Sequence, residues 1–253
     1  MDNIQKQIAE YGIHLSNATN LGLSNNYKDI YFLLEELVEK VKKSLPVVPC
    51  QNKCSGCCTN YGLPRTTTIE WIPIHRYITK EMSEENRKIV IKQLIETHKD
   101  QVKQLLEEQE RVKFSHTEIG RTVEKKPRPD FKCSSCPLLI NDSCSIYPVR
   151  PAICRSYGFF SIRMAGKTQL FTCTMSAEMI MEKLKERGAE HLALPVWDRF
   201  SDRIYEINGD KPISVLPLWL FAHLDENNNI SHTLVREPDF EGLLNKEFNL
   251  EII

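Results

Sequence analysis

Cysteine is the residue type through which this sequence could do chemistry, and eight of its nine cysteines fall into two tight groups. The first group is Cys50-x3-Cys54-x2-Cys57-Cys58; the second contains Cys133, Cys136, Cys144 and Cys154, and is followed by Cys173. Two cysteines separated by two residues on a tight turn can direct both sulfur atoms at one ion. Thiolates are soft ligands that select zinc, Cu(I) or iron–sulfur clusters over magnesium or calcium. The spacing therefore predicts a metal site built on thiolates.

The number of metal ions is left open by the spacing alone. Two groups of four cysteines fit two tetrahedral sites, each with four thiolate ligands, or a single polynuclear cluster. Cys57 and Cys58 are adjacent, and neighbouring side chains tend to diverge, so both binding one tetrahedral ion is awkward. Adjacent thiolates are accommodated more easily in a polynuclear or bridged site.

The surroundings of the cysteines favour metal binding over disulfides. The N-terminal residues lack the basic and then apolar pattern of a secretory signal, and no apolar run approaches the roughly 20 residues that span a bilayer. We therefore expect a cytoplasmic protein, in which a reducing environment keeps thiols free. The formal net charge of −1 predicts neither nucleic acid nor a membrane as a partner. A metal ion, and beyond it a protein, are the expected partners.

Two sequence motifs extend beyond the cysteine spacing. The first motif is Cys54-Ser-Gly-Cys57-Cys58, with Cys50 just before it. The second and more specific one reads Cys136-Pro-Leu-Leu, then Cys144-Ser-Ile-Tyr147, then Arg150-Pro151-Ala-Ile-Cys154-Arg155. Together they resemble the YkgJ-type cysteine-cluster (CxxCxxCC) family, a zinc- or iron-chelating domain. The resemblance covers the chain from Cys50 to Cys173 and implies a bound zinc or iron, or an iron–sulfur cluster.

The resemblance also implies which residues form the site. It assigns eight metal ligands: Cys50, Cys54, Cys57, Cys58, Cys136, Cys144, Cys154 and Cys173. Cys133 would then be surplus. However, the interval between Cys50 and Cys54 is x3 where the family has x2, and this makes Cys133 the natural substitute for Cys50. Arg150 and Arg155 flank Cys154 and could offset the thiolate charge, or else form salt bridges elsewhere, and Tyr147 could pack over the site.

Two classes of function follow. The absence of any evident ligand other than cysteine is typical of closed structural metal sites, which predicts a metal-binding module with an unknown downstream role. The same motif occurs in flagellin lysine methylases, and this resemblance implies the alternative of an iron–sulfur-dependent redox or methyl-transfer enzyme acting on protein side chains. The interval from Cys50 to Cys57 also matches radical S-adenosylmethionine enzymes. Gly56 stands where those enzymes carry an aromatic residue, and no strand–helix series predicts their barrel.

The helices and strands that the sequence pattern indicates around these cysteines predict a mainly helical α+β fold. Its expected parts are an irregular cysteine-rich metal core, a long helical excursion and a short β-hairpin over residues 158–173. We expect three domains: a helical scaffold (1–49), the cysteine-cluster domain (50–175) with the helical excursion 83–113, and a mixed α/β extension (176–253) packed on the core. Helices are predicted over 26–45 and 176–187, and apolar elements begin at Trp197 and Ile213.

The helical excursion has the clearest pattern in the chain. Apolar and uncharged residues recur at alternating four- and three-residue steps, the seam of an antiparallel helical pair: Ile91, Ile95, His98, Val102, Leu105, Gln109 and Val112. This places His98 in the core or at its edge rather than among the ligands. His75 lies two turns after Thr68 in the preceding predicted helix, where it could approach the cysteines in space, but we expect a partly exposed helical position instead.

Overall fold

The computed structural model describes residues 3–44, 55–60, 63–114, 135–164, 167–186, 188 and 193–248. Cys50, Cys54 and Cys133 lie outside these residues. The described part is mainly helical with short antiparallel strand pairs, as the α+β prediction requires. None of its helices combines the length and apolar character needed to cross a membrane.

The helices and strands follow one another in this order: α1 (Asn3–Ser16), α2 (Ile30–Ser44), α3 (Gly56–Asn60), β1 (Arg65–Thr67), α4 (Thr68–Lys80), α5 (Glu84–His98), α6 (Val102–Phe114), β2 (Leu139–Ile140), β3 (Ser143–Cys144), α7 (Ala152–Ser156), β4 (Phe160–Met164), β5 (Lys167–Phe171), α8 (Thr174–Glu186), α9 (Trp197–Asn208), β6 (Ile213–Val215) and α10 (Leu216–Ala222). Single 3₁₀ turns occupy Lys99–Gln101, Tyr147–Val149 and Glu241–Asn245. The chain forms two compact units: Met1–Asn52 with Ala152–Gly209, and Lys53–Pro151 with Asp210–Ile253. The three consecutive domains expected from the sequence stay a prediction.

In the first unit, α2 packs between α1 and α7. The helix predicted over 26–45 begins later, at Ile30, because the preceding residue caps it. Asp29 is fully buried, and its carboxylate accepts hydrogen bonds of 2.7–2.9 Å from the backbone N–H groups of Gly22, Leu23, Ser24 and Tyr31. The residues before Asp29 are thereby folded into a loop instead of a first helical turn.

The β-hairpin of the first unit is confirmed. Strands β4 and β5 pair antiparallel from Phe160 opposite Phe171 to Met164 opposite Lys167. Helix α9 packs on β4, where the rings of Phe160 and Phe200 meet edge to face with centroids 5.5 Å apart. Helix α8 ends at Glu186, close to the predicted end.

In the second unit, all seven residues of the predicted seam are buried. The helical excursion predicted over 83–113 is present, but it is not one continuous α-helix, because α5 and α6 are separated by the 3₁₀ turn Lys99–Gln101. The break lies at His98, whose φ of −123° and ψ of −10° depart from helical values. Both helices pack on α10, and α6 also packs on β6.

The core of the second unit is completed by contacts between residues that are distant in sequence. Strand β1 pairs antiparallel with β6, placing Arg65 opposite Val215. Behind this pair, the indole rings of Trp71 and Trp219 stack with centroids 5.7 Å apart. The partly exposed position predicted for His75 is wrong: its Nε2 lies 2.8 Å from the Ser231 carbonyl oxygen, and the side chain is buried.

Candidate metal site

In the second unit, the segment of Cys57 and Cys58 from the first cysteine group contacts the segment of Cys136 from the second. Helix α3 carries Cys57 and Cys58, and the backbone N–H of Cys136 donates a hydrogen bond of 2.8 Å to the carbonyl oxygen of Cys58. A second contact joins the same segments, since the Ser55 hydroxyl lies 3.4 Å from the carboxylate of Asp142. Residues from both halves of the sequence motif are therefore held together by direct contacts.

A small hairpin places Cys144 beside this junction. Strands β2 and β3 pair Leu139 with Cys144, and Asn141 and Asp142 form the two-residue loop between them. Both loop residues have positive φ, 48° and 57°, as a type I′ turn requires. Asn and Asp tolerate this conformation better than most residues. The Asn-Asp pair is thus a sequence signal for a hairpin that the elements predicted from the sequence did not include.

The thiols of this unit shift one another's pKa values in opposite directions. A hydrogen bond from Cys58, together with the positive charge of Arg150, lowers the pKa of Cys57 to about 7 despite burial. Burial, with smaller contributions from the nearby Cys144 and Cys57, raises the pKa of Cys136 to about 12. Since neighbouring thiolates repel each other, this donor set fits a bound cation that replaces the protons.

Arg150 supplies a positive charge close to the thiols, and Tyr147 packs against its guanidinium. The guanidinium carbon of Arg150 is 4.1 Å from the centroid of the Tyr147 ring, a cation–π arrangement. The same guanidinium contributes to the lowered pKa of Cys57. Tyr147 is 40% exposed, whereas Arg150 is half-buried against its ring.

The remaining described candidates belong to the first unit. Cys154 lies on α7, and the Cys173 thiol donates to the Ser176 hydroxyl at 3.3 Å, at the start of α8. Arg155 is buried, pairs with the carboxylate of Glu35 and lies over the Tyr31 ring, 4.0 Å from its centroid. These contacts attach α7 to α2, and a role for Arg155 opposite thiolates stays a prediction.

Within the described ranges, no three His, Cys, Asp or Glu side chains lie close enough together to hold a metal ion. The predicted cysteine-rich metal core is thus not assembled by these residues alone. Three of the nine cysteines, Cys50, Cys54 and Cys133, fall outside the ranges. What the described residues provide is direct contact between the segments that carry Cys57, Cys58, Cys136 and Cys144, with the Arg150 guanidinium close to Cys57.

A known family matches the cysteine-rich part of the chain. Residues 49–174 match a family model described as "CxxCxxCC: Putative zinc- or iron-chelating domain". The match starts one residue before Cys50 and ends one residue after Cys173, so it includes all nine cysteines. No curated protein and no solved structure matches the chain. Through residues 49–174, the chain belongs to the CxxCxxCC family of zinc- or iron-chelating domains.

Proposed function

We propose that this protein is a YkgJ-type metal-binding module that holds zinc or iron through cysteine thiolates. The observation that carries the proposal is the hydrogen bond from the Cys136 amide to the Cys58 carbonyl, which joins the two halves of the motif. The proposed ligands are Cys50, Cys54, Cys57, Cys58, Cys136, Cys144, Cys154 and Cys173. Contacts in the second unit support Cys57, Cys58, Cys136 and Cys144; the other four are proposed from the sequence signature.

The chemistry of the donor set supports a thiophilic ion. A cation among these thiols stabilises their thiolate forms, which repel one another when no cation is present. Arg150 lies close enough to lower the pKa of Cys57, and its charge would partly offset the excess negative charge of a multi-thiolate site. Thiolate sulfur favours zinc or iron over the hard cations magnesium and calcium.

We assign the metal a structural role with a downstream function in protein or metal handling. Sites closed by cysteines alone leave no coordination position for a substrate or water. The alternative is an iron–sulfur-dependent redox or methyl-transfer enzyme that acts on protein side chains. The two functions differ in the metal that they require, so the metal content decides between them.

The test is elemental analysis of the full chain, purified anaerobically under reducing conditions. Colourless protein with zinc supports the structural module, whereas brown protein with iron and acid-labile sulfide supports the enzyme. Cys144→Ser is expected to lower the metal content, and the matched variant Cys133→Ser is expected to leave it unchanged. Wild-type protein without zinc or iron would refute metal binding.

The Cys133 variant also tests the ligand assignment. If Cys133→Ser loses metal and Cys50→Ser does not, Cys133 has replaced Cys50 as a ligand. If neither Cys144→Ser nor Cys154→Ser changes the metal content, the assignment of the second cysteine group is wrong.

A further inference from the structure

His98 contacts the chain segment that carries Cys136. The ring lies at the C-terminal end of α5 and is fully buried. Its Nε2 is 3.2 Å from the backbone carbonyl oxygen of Ser135, the residue that precedes Cys136. Helix α5 also packs on strand β2, a few residues further along the same segment. The end of α5 therefore lies against the second cysteine group.

The protonation state of this ring follows from its contacts. A carbonyl oxygen only accepts hydrogen bonds, so Nε2 must carry the proton and donate it to Ser135. Burial lowers the pKa of His98 to about 4, which keeps the ring neutral near pH 7. Nδ1 is then an acceptor, and it is buried without a hydrogen-bond partner among the described residues.

Core packing alone does not account for a histidine at this position. A buried acceptor without a partner destabilises a fold by about 1–3 kcal/mol, a cost that an apolar side chain of similar size avoids. The backbone dihedrals of His98 also leave the helical region, which ends α5 at this residue. The buried Nδ1 that lacks a partner in the described part of the chain and the non-helical dihedrals thus both occur at the residue whose ring contacts Ser135.

We propose that His98 is a positioning residue for the cysteine site. Its Nε2–H holds the Ser135 carbonyl, and the next residue, Cys136, is held through its amide to the carbonyl of Cys58. The orientation of the Cys136 thiol is thereby fixed by α5 on one side and by α3 on the other. This inference rests on the proposed metal-binding function, in which Cys136 is a ligand.

The test compares zinc affinity in the reduced full chain, measured by competition with a chromophoric chelator. His98→Leu removes the donor and is expected to weaken zinc binding by about tenfold or more, the size of effect seen when residues behind metal ligands are changed. In His98→Gln, the side-chain amide can still donate to Ser135, so affinity should stay within about threefold of wild type. If His98→Leu does not fold, His98→Asn replaces it, because its amide is too short to reach Ser135.

His75→Leu is the matched control. His75 is also buried in the second unit and bonded to a backbone carbonyl, but that carbonyl belongs to Ser231. This variant should lose stability while keeping wild-type zinc affinity. A purely structural role of His98 would make the His98→Leu and His75→Leu variants behave alike, which would overturn the proposal.

A second measurement does not depend on metal. In metal-free protein, the alkylation rate of each thiol is followed by mass spectrometry. His98→Leu should increase the rate at Cys136 several-fold and leave that at Cys173, in the first unit, unchanged. An unchanged Cys136 rate, or an affinity in His98→Gln as low as in His98→Leu, would overturn the proposal. Wild-type protein that binds no zinc or iron would instead refute the proposed function, and the alkylation rates would still decide the role of His98.

Discussion

Acid should destabilise the second unit through His223, because this buried ring has no room for a second proton. Its Nε2 accepts hydrogen bonds from the Trp71 indole N–H and the Val235 backbone N–H, each at 3.1 Å. Its Nδ1 therefore carries the proton and donates it to the Trp219 carbonyl oxygen at 2.9 Å. Protonation at Nε2 would break two hydrogen bonds inside the core.

The expected magnitude follows from the pKa difference between folded and unfolded chains. Burial, with smaller contributions from His75 and Lys246, lowers the pKa of His223 from 6.5 to about 4. The unfolded chain thus binds the proton at higher pH than the folded chain, so this stabilisation is complete above pH 6.5 and is lost as the pH falls towards 4. From about pH 7.5 to about pH 5, the loss in unfolding free energy is about 2 kcal/mol, at about 1.4 kcal/mol per pKa unit.

The assay is urea unfolding of reduced, metal-free protein at both pH values, followed by tryptophan fluorescence. Trp71 and Trp219 lie beside His223 and report on the second unit, and a Trp197→Phe background removes the signal of the first unit. His223→Gln cannot titrate, so its loss between the two pH values should be about 2 kcal/mol smaller than that of the background protein. Contributions of His75 and His98 are present in both proteins and cancel.

The exposed His232 provides the control, since His232→Gln should retain the full loss of the background protein. Equal pH-dependent losses in the background and the His223→Gln proteins would refute the reasoning. The reasoning would also be refuted if the imidazole signal of His223 titrated above about pH 6 in an NMR experiment. A Nε2 that accepts two buried hydrogen bonds should stay unprotonated at that pH.

Three further predictions concern stability. Removing metal with a strong chelator should lower the melting temperature markedly, because thiolate binding contributes on the order of 10 kcal/mol in zinc-folded peptides; an unchanged melting curve after verified metal loss would show that the scaffold folds alone. Asp29→Ala should destabilise the first unit by about 3 kcal/mol in urea unfolding, since four backbone N–H groups lose a buried charged acceptor. Glu10 lies at an exposed position of α1, and Glu10→Ala is the control. A loss of unfolding free energy in Asp29→Ala no larger than that in Glu10→Ala would contradict the prediction. Arg155→Lys should cost about 1 kcal/mol, because lysine keeps the charge but loses the planar contact with Tyr31, whereas Glu35→Gln, at a mostly exposed carboxylate, should cost less.

Parts of the fold and site with a local, periodic signal were predictable. The seven-residue seam of α5 and α6 is buried throughout, because helical spacing of apolar residues reports directly on which face meets the core. The hairpin of β4 and β5 was also predicted from local sequence. The cysteine family was identified from residue types at fixed spacing, and the match over residues 49–174 confirms it.

Features that depend on contacts between distant segments were not predictable. The break at His98 accompanies a hydrogen bond to Ser135, which no helical pattern encodes. The burial of His75 depends on Ser231 and His223, more than a hundred residues along the chain. A three-residue strand such as β1 carries too little pattern to identify its partner β6.

The pairing of β1 with β6 sets the order in which this protein can fold during synthesis. Arg65–Thr67 leaves the ribosome long before Ile213–Val215, and only the later strand and α10 complete the core that α5 and α6 require. Contacts of such high sequence separation also slow folding of the finished chain. The thiols of Cys57, Cys58, Cys136 and Cys144 are therefore synthesised well before the unit that holds them is complete. During that interval they are open to oxidants and to whichever soft metal ion is available, so metal supply and redox state at the time of synthesis should govern the yield of correctly loaded protein.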